Sequence, residues 1–196
     1  MDEQPKVEWK IVPVYEVFYI ECIRLASLAA INSWESLNEI VNSETLLKSD
    51  GLDLIDLAEN IINQTAILSK YFYPPRIQGS KNVIHRLRGE KLRSSYLIDD
   101  SNPLKDRTFR DFIEHFDEKL DEFLNGIVAG NIIPPKRLFW KSEDISAVTI
   151  LFKAFVASEF KYISLSREIY LPPLMQEVYR IYNLSLDYLD NGGRLR

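Results

Sequence analysis

Residues 102–127 read NPLKDRTFRDFIEHFDEKLDEFLNGI, and they carry the clearest secondary-structure signal in the chain. Asn102 is a suitable N-cap, and Pro103 fits the first helical position, where its missing N–H is not needed. The apolar residues that follow are three or four positions apart, the period of a helix that buries one face: Phe109, Phe112, Ile113, Phe116, Leu120, Phe123, Leu124 and Ile127. The spacing predicts one amphipathic helix over residues 103–128 with a buried apolar stripe centred on Phe116.

Similar signals divide the rest of the chain into helices and one short β region. Helices are predicted where the apolar period is 3.6 residues, and strands where β-branched and aromatic residues alternate loosely. The further predicted elements are helices over residues 14–41 (with a break near 32–33), from after Gly51 to about 71 and from 80 onward, two or three strands within 147–171, and a last helix over 172–190. The predicted fold class is mainly α, a helical bundle with a small β ribbon near the C-terminus.

The bulk composition favours one folded domain. The chain has 196 residues, of which 46% are hydrophobic and 27% charged, enough for one core and too few for two comfortable domains. Its one cysteine, Cys22, allows no internal disulfide and is expected to be buried among apolar neighbours. Charged residues interrupt the apolar stretch 12–31, which makes it a poor membrane span, and no basic signal-peptide region precedes it. We expect a single domain over residues 1–196, located in the cytoplasm and without membrane contact.

Charge is unevenly distributed, although the formal net charge is only −5. Residues 76–93 contain six basic residues and one acidic residue, whereas residues 99–122 contain nine acidic and four basic ones. A chain that is negative overall has no general attraction to nucleic acid. The basic segment therefore runs directly into an acidic one, and only the basic segment is suited to contact phosphates.

An Arg–His pair lies on the polar face of the helix predicted over residues 103–128. The string RDFIEH, from Arg110 to His115, resembles the signature of the HEPN superfamily, in which a histidine follows an arginine by four to six positions near the start of a late helix. These are small all-helical domains, and many are metal-independent endoribonucleases that act as toxins, in defence systems or in RNA processing. Asp111 stands where the family usually has a neutral polar residue, often Asn.

The resemblance implies distinct roles for Arg110 and His115. His115 would exchange a proton with a ribose 2′-hydroxyl or the leaving oxygen, because histidine titrates near neutral pH. Arg110 would stabilise the charged phosphorane. Neither a metal nor a cofactor is expected. The RNA or phosphate groups would be bound by five further cations: Lys81, Arg86, Arg88, Arg93 and Arg107.

Three functional hypotheses follow. A ribonuclease, with a protein inhibitor or antitoxin as a further partner, needs Arg110 and His115 in one solvent-open cleft. We expect both at the core boundary but on opposite edges of the helix, so a homodimer would have to complete the cleft. A non-catalytic module would instead dimerise through helix 103–128 and bind a protein with its charged face. A nucleotide- or small-molecule-binding domain needs a concave pocket lined by Arg86, Arg88 or Arg93.

A fourth reading assigns no special function to the Arg–His pair. Arg110 would form an ordinary solvated ion pair with Glu114, one helical turn further on. His115 would contact Lys119 or form a hydrogen bond with Asp111. The exposure of the Arg110 and His115 side chains distinguishes these readings, because catalysis requires both to be accessible to RNA.

Overall fold

Long helices and two small sheets, one of two strands and one of four, make up the described part of the fold. In the computed structural model of the protein, the described residues are 11–43, 52–75, 80–106, 110, 113–127, 129–133, 136–165 and 167–196. The helices are α1 (Pro13–Val41), α2 (Leu52–Phe72), α3 (Ser80–Ser95), α4 (Phe116–Asn125) and α5 (Leu171–Asp190). The strands are β1 (Asn131–Ile133), β2 (Arg137–Phe139), β3 (Thr149–Leu151), β4 (Lys153–Val156), β5 (Lys161–Ser164) and β6 (Arg167–Tyr170). The prediction of a mainly α fold with a small β region near the C-terminus is confirmed.

The main apolar core lies where α1 packs against both α2 and α5. α1 is continuous, so the break expected near residues 32–33 is wrong. Ser33 is buried, and its hydroxyl accepts a hydrogen bond from the side-chain amide of Asn60 on α2 at 2.7 Å, which accommodates a polar residue within the helix. Cys22, expected to be buried, lies on the exposed side of α1. Of the described helices, none is both long and apolar enough to cross a membrane.

The β region extends further than predicted, because β1 and β2 precede residue 147, and it forms two sheets. β2 pairs in parallel with β4, and β4, β5 and β6 are antiparallel neighbours, while β1 pairs in parallel with β3. Side chains alternate across the sheet, as strand geometry requires. Phe155 and its partner Tyr162 face the helical core, whereas Ala154 and its partner Ile163 belong to a second, smaller apolar cluster.

The single helix predicted over residues 103–128 is wrong. The N-cap was predicted correctly, since the Asn102 side chain accepts the Leu104 N–H at 3.0 Å. Only one 3-10 turn follows, Pro103–Lys105, because Asp106 already has extended backbone (φ −64°, ψ 113°). This turn inserts Leu104, which is 0% exposed, into the main core.

Helical backbone returns at Arg110, Ile113 and Glu114, and α4 is the next helical part of the predicted helix. It begins after His115, whose φ of −122° and ψ of 37° lie outside the helical region. None of its residues is buried, and Phe116, at the expected centre of the stripe, is only half-buried. The main core is built by α1, α2 and α5. α4 lies at the edge of this core, so the apolar side chains of α4 are only partly buried.

Candidate functional site

Arg110, the residue expected to stabilise the phosphorane, is buried. Only 4% of it is exposed, and its guanidinium Nη1 donates a hydrogen bond to the carbonyl oxygen of Tyr73 at 3.1 Å. Tyr73 directly follows α2, so this bond holds the guanidinium against the end of that helix. The expectation that Arg110 lies at the core boundary is therefore wrong, and its side chain is not open to solvent.

His115 lies at the surface, as the N-cap residue of α4. Its side chain is 55% exposed, and Nδ1 lies 3.5 Å from the Glu118 carboxylate, which is too long for a strong hydrogen bond. Exposed pairs of this kind contribute little to stability. The Arg–His motif is thus divided between the protein interior, for Arg110, and the solvent, for His115.

Three of the predicted arginines contact the end of α2. The last carbonyl groups of a helix have no partners within it, and they carry the negative end of the helix dipole, so cations stabilise them. The hydrogen bonds run from Arg88 Nη2 to the Lys70 carbonyl, from Arg93 Nη1 to the Phe72 carbonyl, and from Arg110 Nη1 to the Tyr73 carbonyl. Part of the basic character of this region therefore serves to cap a helix.

The remaining predicted cations have other surroundings or are not described. Arg86 forms an exposed ion pair with Glu90 at 2.8 Å, one turn further along α3. The side chain of Lys81 and the whole of Arg107 lie outside the described residues. Their predicted contacts with RNA or phosphate stay predictions.

Arg88 differs from the other capping arginines because it borders open space. A groove of about 260 Å³ between α2 and α3 is lined by Ile67, Lys70, Tyr71 and Arg88, and we call it the Arg88 groove. The guanidinium carbon lies 5.8 Å from the centre of the Tyr71 ring. Arg88 Nε is buried and makes no hydrogen bond to any described residue. His85 borders the same side chain, with its Nδ1 3.4 Å from Arg88 Nη1.

The electrostatics of the Arg88 groove favour an anion. Lys70 forms an ion pair with Glu114, and this hydrogen bond lowers the pKa of the Glu114 carboxyl below its usual value. Burial and a hydrogen bond with Cys22 raise the pKa of Tyr71 to about 12, so its phenol stays uncharged. Among the described residues that line the groove and their ion-pair partners, two basic side chains, Lys70 and Arg88, therefore face one carboxylate, that of Glu114.

Sequence reasoning found Arg88 but missed Lys70 and Tyr71. Tyr71 precedes two buried aromatic residues, Phe72 and Tyr73, at the end of α2, so its neighbours in the sequence indicate packing and not binding. Lys70 is an ordinary cation in the last turn of α2, with no local signal for binding. Only the packing of α3 against this helix end brings Arg88 beside it.

The described residues contain no group of three or more His, Cys, Asp or Glu side chains that could hold a metal ion. A comparison of the chain with protein-family models, curated proteins and solved structures finds no match. A functional assignment therefore depends on the geometry of the site itself.

Proposed function

We propose that this protein is a HEPN-like helical bundle that binds a phosphate-bearing ligand in the Arg88 groove and does not cleave RNA through Arg110 and His115. The observation that carries this proposal is the position of Arg88, in an open groove beside Lys70, with its Nη1 held, among the described residues, only by a 3.4 Å contact with His85 Nδ1. A nucleotide-binding domain would need a concave pocket lined by arginine, and the Arg88 groove supports this proposal over the ribonuclease.

The donors in the groove suit a phosphate. A guanidinium has five N–H groups in a planar fork that matches phosphate oxygens, and an ammonium has three. Arg88 uses Nη2 on the Lys70 carbonyl, and the Lys70 ammonium contacts Glu114. Within the described part of the chain, Arg88 Nη1 has only the 3.4 Å contact with His85 Nδ1, so a phosphate oxygen in the groove would give it a shorter, charged hydrogen bond.

The burial of Arg110 argues against catalysis by the Arg–His pair. Stabilisation of a phosphorane requires a donor within about 3 Å of the reacting oxygens. At 4% exposure, and bonded to the Tyr73 carbonyl, Arg110 would have to leave the interior to reach RNA. We infer that Arg110 supports the end of α2.

Titration of the full chain with ribose 5-phosphate, followed by calorimetry, tests the proposal. Lys70→Gln and Arg88→Gln should each weaken binding about tenfold, the effect of losing one charged hydrogen bond. Arg86→Gln is the matched control, because it removes the same charge from α3 outside the groove. Because Arg88 also caps α2, the melting temperature of Arg88→Gln is measured to detect a folding defect. If Arg88→Gln is unstable, the binding result for Lys70→Gln decides the test. An equal loss in Arg86→Gln, or none in Lys70→Gln, would overturn the proposal.

The expected homodimer is a second part of the proposal, and an exposed face of α1 favours it. Tyr15, Phe18 and Leu25 are 55%, 65% and 51% exposed, and Cys22 completes their helical spacing. Contiguous apolar side chains of this kind are typical of interaction surfaces. Phe18→Glu should convert a dimer into a monomer in light scattering, whereas a loss caused only by Leu124→Glu would move the interface to α4.

A further inference from the structure

A second opening lies on the same side of α2 as the Arg88 groove. It is a cavity of about 230 Å³ between α2, residues 113–116 and strands β4, β5 and β6. Half of its lining is apolar, from Ile62, Ile113, Phe116 and Ile169. The other half is polar, from Glu59, Asn63, Lys153 and Tyr162. We call it the Glu59 cavity.

Glu59 is the centre of the polar half. Its Oε1 accepts a hydrogen bond from the phenol of Tyr162 at 2.7 Å and forms an ion pair with the ammonium of Lys153, also at 2.7 Å. Burial is the main cause that raises the pKa of Tyr162, so the phenol stays protonated and remains a donor. Glu59 Oε2 makes no hydrogen bond to the described residues, and the Glu59 side chain is 27% exposed, so this oxygen is free to accept one from a ligand.

Lys153 provides donors next to that acceptor. Its Nζ lies 5.2 Å from the centre of the Phe116 ring and 5.6 Å from that of Phe152, which restricts where the ammonium can move. One N–H contacts Glu59, and an ammonium carries two more. The cavity thus presents a carboxylate oxygen beside an ammonium, with the Asn63 amide one helical turn from Glu59.

The size of the Glu59 cavity restricts its ligand. Pockets that hold whole drug-sized molecules measure roughly 300–1,000 Å³, so 230 Å³ suits a single ring system. Isoleucine side chains and an aromatic ring suit the faces of a flat heterocycle. Its edge must then carry an N–H for Glu59 and an adjacent carbonyl for Lys153. A lactam has this arrangement, and among nucleobases guanine and uracil contain one.

The two openings are aligned along α2. Glu59, Asn63, Ile67 and Lys70 follow one another at spacings of four, four and three residues, which places them on one face of the helix. Eleven residues separate Glu59 from Lys70, about 16.5 Å of helix rise, and Asn63 lies between them. The same short segment borders both openings, since Ile113 lines the cavity and Glu114 pairs with Lys70.

We propose that one nucleotide with a lactam-bearing base occupies both openings, with its base in the Glu59 cavity and its phosphate in the Arg88 groove. The placement of the phosphate rests on the proposed function above. The base is recognised by Glu59 and Lys153, independently of the phosphate contacts. The protein therefore distinguishes GMP and UMP from AMP and CMP.

Calorimetric titration of the full chain with GMP, AMP, guanosine and ribose 5-phosphate tests this inference. GMP should bind at least tenfold more tightly than AMP or ribose 5-phosphate. Glu59→Gln should remove about tenfold of the GMP affinity, the effect of one charged hydrogen bond, and leave ribose 5-phosphate binding unchanged. Asp56→Asn is the matched control, because it removes the same charge one turn earlier on α2, where Asp56 pairs with Lys136 outside the cavity.

The outcomes separate the two proposals. If ribose 5-phosphate binding depends on Lys70 and Arg88 but GMP binds no more tightly than AMP, the base site is overturned and the phosphate site stands. If guanosine binding depends on Glu59 while Lys70→Gln and Arg88→Gln have no effect, the phosphate site is overturned instead. Equal losses of GMP affinity in Glu59→Gln and Asp56→Asn would show general electrostatics and overturn the base site.

Discussion

The guanidinium Nη1 of Arg110 donates a hydrogen bond to the carbonyl oxygen of Tyr73, the residue that follows α2, at 3.1 Å. This contact joins two positions that are 37 residues apart. Arg110, which resembles part of a nuclease motif, thus stabilises the end of α2.

Arg110→Ala should therefore destabilise the protein. Loss of a donor to a buried carbonyl costs about 1–3 kcal/mol, and Arg110 is in addition a cation at the negative end of α2. We expect the free energy of unfolding, measured by urea denaturation, to fall by about 2–3 kcal/mol. His115→Ala, at an exposed position, should change it by less than about 0.5 kcal/mol. Equal effects of the two substitutions would contradict this assignment of Arg110.

RNA cleavage without metal tests the remaining catalytic hypothesis. With EDTA present, we expect wild type and His115→Ala to leave a varied set of RNA substrates equally intact, because Arg110 is not open to solvent. The products are analysed for 2′,3′-cyclic phosphate ends. Cleavage that produces such ends in the wild type and is lost in His115→Ala would restore the ribonuclease assignment.

Phe116→Ala should lower the free energy of unfolding by less than the sequence suggests. Truncation of a phenylalanine at the centre of a buried stripe lowers the free energy of unfolding by about 3–5 kcal/mol. Phe116, however, is only half-buried and lies on the wall of a cavity. We expect a loss of about 1–2 kcal/mol in the free energy of unfolding. Phe155→Ala is the comparison, because Phe155 is 0% exposed and should show the full loss. A larger effect at Phe116 than at Phe155 would mean that α4 is packed more tightly than described.

The acid stability of the sheet should depend on Glu159. Hydrogen bonds from Ser142 and Lys161 lower the pKa of Glu159 from its usual 4.5 to about 2. Because the pKa in the folded state is the lower one, this group stabilises the protein above pH 4.5, and the contribution is lost as the pH falls toward 2. Glu159→Gln should flatten the stability curve in that window, as followed by denaturation at several pH values. The exposed Glu143, changed to Gln, serves as control, and an equal flattening there would contradict the role of Glu159.

Local sequence signals predicted most helix boundaries correctly. Pro13 occupies the first turn of α1, and Pro172 and Pro173 that of α5, where a missing N–H has no cost. Gly192 follows α5 with a φ of 86°, a conformation that glycine adopts without strain. These features act within one or two turns of the chain, and for that reason they can be read without the fold.

The same reasoning failed where packing competes with periodicity. The apolar period of residues 103–128 is genuine, yet the chain forms a 3-10 turn that buries Leu104 and leaves the helix again at His115. A period shows which side chains could share a face, but not whether the core has space for that face. α1, α2 and α5 build the main core, and α4 remains at its edge.

The amino-acid sequence by itself therefore determined the fold class, the last helix and the presence of a basic segment. Tertiary structure alone decided what the charged residues do. Arg88 meets Lys70 across 18 residues, and Glu59 meets Tyr162 across 103. Such contacts depend on how separate elements pack together, and hydrogen bonds at these distances along the chain have no local signature.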